Sequence, residues 1–277
     1  WGLFANVIGE VIPTKEVIIF HENQIVAQIP TSALSEETPI NIHNVIKETP
    51  NYLLEKWEWK EDKLPLVKKN QIVSLKDKKL YSFSEIILEL LSNPSIASKR
   101  WVYSQYDYQV QLNTVFKPGE ADAALIRLRS QYEKNKNKVF SGVAASVDCN
   151  SRWVSLDPFR GTIAAVAESA RNVSCVGAEP IAITNNLNFS SPETEIGYWQ
   201  LSSACDGISK ACIALETPVT GGNVSLYNES KNQDNEITPI YPTPVIGMVG
   251  VIKNVDKAVS SGWKNINDQI WIIGSHA

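Results

Sequence analysis

The most informative pattern in the sequence lies at residues 217–229. These residues read Thr217-Pro218-Val219-Thr220-Gly221-Gly222-Asn223-Val224-Ser225-Leu226-Tyr227-Asn228-Glu229. Adjacent glycines let a backbone turn sharply and let a ligand approach its N–H groups, which can form a concave anion site. Asn223 offers an amide oxygen of the kind that binds magnesium, and Ser225 offers a hydroxyl that donates and accepts. The pattern indicates a site for a phosphate-bearing ligand, with an ordinary tight turn between a helix and a strand as the alternative.

The segments around this stretch follow an α/β pattern that begins near Trp101. Small residues dominate a helix predicted over 160–176, which suits close packing against a sheet, and Gly177 ends it as a C-cap. A strand is predicted over 180–185 and a second helix over 194–215. Further strands are predicted over 108–116, 122–128, 139–148 and 245–252.

Residues 5–30 predict a β-hairpin. Two apolar runs, at 17–20 and 25–29, flank a polar turn at 21–24, and Pro30 ends the second run. Because two strands are only marginally stable alone, we interpret the hairpin as the end of a preceding domain.

Residues 35–92 have the composition of a surface connector with short helices. They are rich in Glu, Lys, Asn and Pro, and we expect Tyr52, Trp57 and Trp59 to dock them on the rest of the chain.

The last helix of this connector has clear start and stop signals. Ser82 and Glu85 match a capping box, the helix is predicted to run to Leu91, and Asn93-Pro94 stops it. An apolar stripe follows from its spacing, at Ile86, Ile87, Leu90 and Leu91.

The composition is that of a folded protein with a sizeable core, with 43% hydrophobic and 20% charged residues. The net charge of -4 gives no overall attraction to nucleic acid or to an anionic membrane. No apolar run approaches the roughly 18 residues that cross a bilayer. The N-terminus lacks the basic region of a secretory signal. We therefore expect a cytoplasmic protein with no nucleic-acid or membrane partner.

The cysteines and histidines predict neither a metal site nor acid–base catalysis. The four cysteines have neither a CxxC pair nor a metal-ligand spacing, which is typical of reduced intracellular thiols: Cys149, Cys175, Cys205 and Cys212. The three histidines form no sequence pattern typical of a catalytic site with a nucleophile and a carboxylate: His21, His43 and His276. The residues therefore predict no catalytic residue in this chain.

The two ends of the chain look like cuts from something longer. The sequence begins without Met and stops just after a strand-like run at 271–273. We therefore expect these residues to carry only part of a function.

Neither of the two common phosphate-binding motifs, Walker-type or Rossmann-type, is present. Three other segments nevertheless place polar residues at the ends of predicted strands or at the start of a helix, at 148–150, 157–161 and 185–189. Ligands collect at such strand ends in open α/β sheets, although helix caps and turns are the simpler explanation of each segment taken singly.

Taken together and in this order, these motifs resemble the phosphoribosylformylglycinamidine synthase family. More narrowly, they resemble the second of the two tandem aminoimidazole-ribonucleotide-synthetase-like halves of its synthetase subunit. The resemblance covers roughly residues 90–277. The motifs that carry it are Gln105-Tyr106-Asp107, Asp148-Cys149-Asn150, Asp157-Pro158-Phe159-Arg160-Gly161, Ala167-Glu168-Ser169-Ala170-Arg171-Asn172-Val173, Gly177-Ala178-Glu179-Pro180, Asn188-Phe189, Gly221 through Glu229, and Pro242-Thr243-Pro244-Val245-Ile246-Gly247.

The resemblance implies an α+β fold with a mixed, mostly antiparallel sheet, packed helices and truncated flanking pieces. It divides the chain into the tail hairpin of a first half (1–34), a connector (35–92), the synthetase-like N-terminal domain of the second half (93–249) and the start of a truncated C-terminal domain (250–277). The sheet is expected to form a barrel with a partner sheet from the first half.

The resemblance also implies a ligase activity in purine biosynthesis. The family uses ATP to activate the amide oxygen of formylglycinamide ribonucleotide, and glutamine-derived ammonia displaces the phosphate to give formylglycinamidine ribonucleotide. It implies ATP and Mg²⁺ as ligands, and as partners a glutaminase subunit or domain, a small bridging subunit and the first half of the same synthetase. Because the family's catalytic histidine belongs to the first half, we expect this chain to be inactive alone.

Residue by residue, the resemblance assigns Asn185 and Gly222 to ATP, Asn223 to magnesium and Ser225 to the ribonucleotide substrate. Two positions depart from the family pattern. Asn185 stands where the family has Asp, which removes a charge that would hold a cation. Ser190 stands where the family has the Gly of Asn-Phe-Gly.

Two other functions remain open at this point. The chain is a candidate for a non-catalytic half that holds a nucleotide structurally, an alternative that Asn185 favours. It is also a candidate for a sister ATP-dependent enzyme of the same superfamily, although the preceding hairpin and the long connector argue against that alternative.

Overall fold

The computed structural model describes residues 2–58, 60, 65, 67–68, 71–74, 79–129 and 139–274. The chain divides into two compact units, Trp1–Asn44 and Val45–Ala277. Among the described residues, no helix is both long and apolar enough to cross a membrane.

The first unit contains one β-hairpin. Strands β1 (Glu16–His21) and β2 (Gln24–Pro30) pair antiparallel, and a 3-10 turn, Thr31–Leu34, follows. Glu22 and Asn23 link the strands with φ of 46° and 61°. A two-residue turn with both φ positive matches the right-handed twist of the strands. The predicted hairpin is therefore confirmed over residues 16–30, whereas residues 5–15 lie outside it.

The second unit begins with a region that contains a small sheet as well as helices. Strands β3 (Val67–Lys68), β4 (Gln71–Val73) and β5 (Leu80–Ser82) form an antiparallel sheet in that order. The sequence analysis did not predict this sheet, because strands of two or three residues show no measurable alternation.

Three helices belong to the same region. They are α1 (Asn51–Trp57), α2 (Phe83–Ser92) and α3 (Arg100–Tyr103). Ser82 and Glu85 form the predicted capping box, and α2 ends immediately before Asn93-Pro94, as predicted. The apolar side chains of α2 are mostly exposed, so the predicted stripe is present but α2 itself contains no buried residue.

Helix α1 docks through its aromatic side chains, as predicted for Tyr52 and Trp57. Trp57 Nε1 donates to the Leu156 carbonyl at 2.9 Å, and Tyr52 Oη donates to the Ser155 carbonyl at 3.4 Å. Leu53 between them is fully buried. Trp59 lies outside the described residues.

A five-stranded sheet forms the centre of the second unit, in the order β6-β7-β12-β8-β9. Neighbouring strands pair antiparallel except β8 and β9, which pair parallel. The predicted mixed, mostly antiparallel sheet is confirmed. Its strands are β6 (Ala124–Arg127), β7 (Gly142–Asp148), β8 (Glu179–Asn188), β9 (Val219–Ser225) and β12 (Thr243–Ile252).

Three helices follow the predicted order on this sheet: α4 (Ser151–Leu156), α5 (Pro158–Cys175) and α6 (Glu195–Leu215). Side-chain caps start each of them, since Asn150, Asp157 and Thr194 accept hydrogen bonds from backbone N–H groups in the first turn. Helix α5 packs on β7, β8 and β12, and α6 packs on α5. The helix predictions over 160–176 and 194–215 are confirmed, whereas the short α4 was not predicted.

The two faces of the sheet differ. The strict alternation along β12 places Ile246, Met248 and Ile252 in the core under α5 and leaves Val245 and Val249 half-buried on the other face. We call the helix-packed side the covered face and the other side the open face. Exposed side chains such as Ile126 and Val147 belong to the open face by their register.

Two predictions about strands need correction. Residues 108–116 do not form a strand: a 3-10 turn, Val110–Leu112, occupies their centre, and only Thr114 bridges to Ile126. Positive φ at Gln111 (61°) and Leu112 (56°) prevents an extended backbone there. A second hairpin, β10 (Glu229–Lys231) with β11 (Ile237–Pro239), lies between β9 and β12 and was not predicted.

Candidate functional site

The parallel pair β8–β9 carries all four residues that the sequence analysis proposed for ligands. The register places Asn185 beside Gly222, Asn186 beside Asn223 and Asn188 beside Ser225. Helix α6 connects the two strands, so residues that are distant in sequence become neighbours at one edge of the sheet. In open sheets, such carboxyl ends of parallel strands are common ligand sites.

The glycine pair lies inside strand β9 and makes no turn. Neither Gly221 nor Gly222 has positive φ, and both pair with β8 in an extended backbone. Thr184 Oγ1 donates to the Gly221 carbonyl at 3.0 Å, which also ties the strands together. The predicted sharp turn is therefore wrong, because continuous pairing with β8 from Gly221 to Ser225 requires an extended conformation.

The two glycines face opposite sides of the sheet and have different reasons to lack a side chain. A Cβ on Gly222 would lie 2.0 Å from Asn185 Oδ1 and 2.6 Å from the Asn185 carbonyl oxygen. A Cβ on Gly221 would meet no atom within 4 Å. Gly222 therefore makes room for the Asn185 side chain, and Gly221 leaves open space above the strand.

A cavity of about 460 Å³ lies over this part of the sheet. Its size falls within the roughly 300–1,000 Å³ typical of small-molecule sites. Asn185, Gly222 and Asn223 line it, whereas Ser225 does not. The remaining lining residues are Val147, Thr184, Asn186, Gly221, Val245 and Gly247.

The Asn223 side chain is held by a neighbouring amide. Its Nδ2 donates to Asn186 Oδ1 at 3.1 Å across the two strands. Sequence analysis missed Asn186; its position in the Asn185-Asn186-Leu187-Asn188 run, one residue after Asn185, was the available signal. The bond uses the nitrogen of Asn223 and leaves its oxygen as the group that can meet a cation.

Ser225 lies at the end of β9 in a separate set of hydrogen bonds. Asn228 Nδ2 donates to the Ser225 carbonyl at 2.7 Å and to the Phe189 carbonyl at 3.2 Å. The Ser225 hydroxyl lies 3.3 Å from Asn228 Oδ1, to which it donates. The Asn228 side chain therefore fixes the position of the Ser225 hydroxyl, just beyond the cavity.

The loop after β9 is tied to the residues that precede α6. Glu229 Oε1 accepts from the Ser191 backbone N–H at 2.8 Å, and Tyr227 Oη donates to Glu193 Oε1 at 3.2 Å. This hydrogen bond to Glu193 and the carboxylate's charge raise the pKa of the Tyr227 phenol. The motif at 225–229 is thus tied by two hydrogen bonds to the residues that precede α6.

The donors around the cavity fit only part of a magnesium site. Asn223 supplies one amide oxygen, and the residues that line the cavity include no carboxylate and no histidine. Across the described ranges, no group of three or more His, Cys, Asp or Glu side chains is placed to hold a metal. Magnesium commonly keeps several waters and takes its other ligands from substrate phosphates, so one amide oxygen is compatible with a magnesium–phosphate ligand.

The other polar strand ends mostly have structural roles. Asn150 and Asp157 are helix caps, which confirms the simpler interpretation of their motifs. Asp148 accepts from the Ser169 hydroxyl at 2.8 Å and from Asn172 Nδ2 at 3.0 Å, and so ties β7 to α5. Burial, and then the Glu168 carboxylate, raises the pKa of the Cys149 thiol to about 11, so this thiol is protonated at neutral pH.

A larger cavity, of about 840 Å³, lies between α1, the start of α6 and the β10–β11 hairpin. Gln200 Nε2 donates to Tyr52 Oη at 2.9 Å on its wall, and burial raises the pKa of that phenol. Sequence analysis missed this cavity, because it is built from segments that are more than 140 residues apart in the sequence.

Comparison with known proteins finds one matching family model and highly similar relatives. A family model described as "AIR synthase related protein, N-terminal domain" matches residues 120–252. The phosphoribosylformylglycinamidine synthase subunit PurL of Prochlorococcus marinus subsp. pastoris is 84% identical over all 277 residues, which are 36% of its length.

Solved structures of Thermotoga maritima PurL agree with this match. PurL complexed with ATP aligns with a TM-score of 0.57 at 27% identity, covering 90% of this chain and 33% of that one. PurL complexed with FGAR aligns with a TM-score of 0.55 at 27% identity, covering 90% and 32%. The chain thus spans about a third of the length of the relatives that it matches. Over that third, the chain is similar to the PurL subunits of phosphoribosylformylglycinamidine synthase.

Proposed function

We propose that this chain supplies part of the ATP–magnesium site of a synthetase that makes formylglycinamidine ribonucleotide in purine biosynthesis. The enzyme would be a ligase that forms a carbon–nitrogen bond with glutamine as amide donor. The observation that carries the proposal is the cavity at the β8–β9 edge, where Asn185, Gly222 and Asn223 meet. A relative with 27% identity over this region was solved with ATP.

Each residue has a distinct role in this proposal. The open space above Gly221 lets phosphate oxygens approach the strand, and Asn223 offers its amide oxygen to Mg²⁺. Gly222 acts indirectly, because it leaves room for the Asn185 side chain, which lies on the covered face by its pairing with Ile246. The Ser225 hydroxyl, held by Asn228 beyond the cavity, contacts the ribonucleotide. ATP would supply phosphoryl activation of the amide oxygen, and Mg²⁺ would neutralise its phosphates.

The catalytic base lies outside this chain in the proposal. The residues that line the β8–β9 cavity include no histidine. The exposed and half-buried apolar residues of the open face support association with a first synthetase half. A glutaminase and a small bridging subunit complete the proposed assembly, in the cytoplasm.

The division of the chain also stays a proposal. Residues 1–34 would end the first half, 35–92 would connect the halves, 93–249 would form the synthetase-like N-terminal domain, and 250–277 would begin the next domain. The hairpin at 16–30 and the sheet between Ala124 and Ile252 support this division.

The test uses a chimeric subunit in which this chain replaces the matching 277 residues of the Prochlorococcus PurL subunit. We expect Asn223→Ala to lower ammonia- and FGAR-dependent ADP release at least tenfold. Because Asn223 is exposed, its loss should change the free energy of unfolding by less than about 0.5 kcal/mol. Unchanged ADP release would refute the proposal, and turnover by the 277-residue chain alone would refute the claim that its base lies elsewhere.

A second candidate is a half that holds a nucleotide without consuming it. The amide at Asn185 and the absence of a carboxylate from the cavity lining favour it. In the same chimera, Asn223→Ala would then leave turnover per folded enzyme intact and lower the unfolding midpoint by removing the bound nucleotide. Loss of turnover with an unchanged midpoint selects the first candidate.

A further inference from the structure

We infer that Asn186 is a positioning residue, which orients the Asn223 carboxamide so that its oxygen faces the cation. This inference rests on the proposed function, in which Asn223 is a magnesium ligand. Asn186 Oδ1 accepts from Asn223 Nδ2 at 3.1 Å, and the two residues are directly paired between β8 and β9.

The two ends of a carboxamide differ chemically. A carboxamide presents an oxygen on one side and an NH₂ group on the other, and only the oxygen binds a cation. An exposed asparagine with no partner presents either end, because rotation about its terminal bond is soft. An acceptor that engages the nitrogen selects the orientation in which the oxygen is available. Neighbours of this kind commonly tune metal ligands by 10- to 100-fold.

The neighbours of Asn186 on the same face have backbone carbonyls as hydrogen-bond partners. Thr184 Oγ1 donates to the Gly221 carbonyl, and Asn188 Nδ2 donates to the carbonyls of Asn186 and Thr243. Both bind backbone and strengthen the strand pairing. Among the side-chain hydrogen bonds of the described residues, the bond from Asn223 to Asn186 joins a proposed metal ligand to another side chain.

The geometry also predicts which replacements keep the orientation. Asp at position 186 retains an acceptor opposite Asn223 Nδ2, and Leu retains the size without an acceptor. Thr220 offers a matched control, because its Oγ1 also joins β9 to β8, at 3.1 Å from the Ile183 carbonyl, but it does not line the cavity. Thr220→Val therefore removes one cross-strand hydrogen bond without touching the Asn223 carboxamide.

The experiment measures Mn²⁺ affinity by electron paramagnetic resonance in the chimeric subunit saturated with a non-hydrolysable ATP analogue. We expect Asn186→Leu to weaken Mn²⁺ binding roughly five- to tenfold. A fivefold loss of affinity corresponds to about 1 kcal/mol, which is typical of one hydrogen bond. Asn186→Asp should bind Mn²⁺ at least as tightly as the unsubstituted subunit, and Thr220→Val should stay within about twofold.

The Asn223→Ala substitution distinguishes a failure of the proposed function from a failure of the role inferred for Asn186. If it leaves Mn²⁺ affinity unchanged, the proposed function itself fails. If it weakens Mn²⁺ binding while Asn186→Leu does not, or if Asn186→Leu and Thr220→Val weaken it equally, the role of Asn186 is refuted and the proposed function survives. A loss in Asn186→Leu that Asn186→Asp restores, with unfolding midpoints unchanged, supports the inference.

Discussion

The covered and open faces of the central sheet use the same strands for opposite purposes. On the covered face, Ile183, Ile246 and Met248 are fully buried beneath α5. On the open face, the same strands expose 72% of Val147 and present Thr184 and Asn186 beside the cavity. Alternation at every second residue lets one segment build the core and the binding surface at once. Substitutions at adjacent positions should therefore have different consequences.

The largest difference should come from truncating one side chain on each face. Met248→Ala removes a fully buried side chain from the covered face, and we expect it to cost about 3 kcal/mol of the free energy of unfolding. Val147→Ala on the open face should cost less than about 0.5 kcal/mol. Urea unfolding of the 277-residue chain measures both. Equal losses would mean that the open face is packed in solution.

The adjacent residues Gly221 and Gly222 allow the two faces of the sheet to be compared within one strand. We expect Gly222→Ala to cost about 2 kcal/mol, because the new methyl group would overlap the Asn185 side chain and carbonyl. Gly221→Ala, whose methyl group would meet no atom, should leave stability within about 0.5 kcal/mol and instead weaken ATP binding.

Thermal unfolding of the 277-residue chain and ATP titration of the chimeric subunit separate these effects. The double substitution Asn185→Ala with Gly222→Ala should recover part of the stability, since it removes one of the overlapping groups. If both glycine variants lose stability equally, the assignment of the two glycines to opposite faces is wrong.

Substitutions on helix α1 should have a smaller effect on the free energy of unfolding. Tyr52→Phe removes the hydroxyl that donates to Ser155 and accepts from Gln200, so we expect a loss of about 1 kcal/mol. Lys56→Ala, on the same helix, removes an exposed cation that lies 5.4 Å from the Tyr52 ring and should cost less. Chemical denaturation compares them, and a larger loss in Lys56→Ala would show that the ring contact matters more than the hydroxyl.

The smallest effect should be a dependence of the folding stability on pH, which appears only in alkaline solution. Cys149 follows β7, and its pKa rises from 9.0 to about 11 in the folded chain. Because a raised pKa favours the neutral thiol in the folded state, its contribution to stability is complete below pH 9 and is lost as pH rises towards 11. We expect the unfolding midpoints of the parent and of Cys149→Ala to differ by a constant amount up to pH 8. Above pH 9 the parent should lose stability faster, and parallel curves to pH 11 would contradict this expectation.

Sequence patterns predicted the long elements well and the short ones badly. The helices over 160–176 and 194–215 have caps and an apolar face, which are local signals, and both are present. The strand predicted over 108–116 failed because the alternation of apolar and polar residues there does not reveal the positive φ of Gln111 and Leu112. The small sheet β3-β4-β5 gave no pattern to detect, because its strands have two or three residues.

The candidate site was predictable in its members but not in its geometry. The resemblance pointed to Asn185, Gly222, Asn223 and Ser225, and the structure gathers the first three at one cavity and places Ser225 just beyond it. The glycines were misread as a turn, because sequence alone does not show that β9 pairs with β8. That pairing decides which side chain faces the cavity, and it also brings Asn186 to Asn223.

The single parallel pair in the central sheet has a consequence for the order in which the molecule assembles. Two parallel neighbours need a crossover, and here that crossover is α6, which must fold back before β9 can join β8. A nascent chain that has reached Leu215 already contains β8, yet it holds only one side of the binding edge. Because β9 is also an edge strand, the site is complete only when the outermost strand has joined the sheet. Ligand binding at this site would therefore show that β9 has paired with β8 during folding of the second unit.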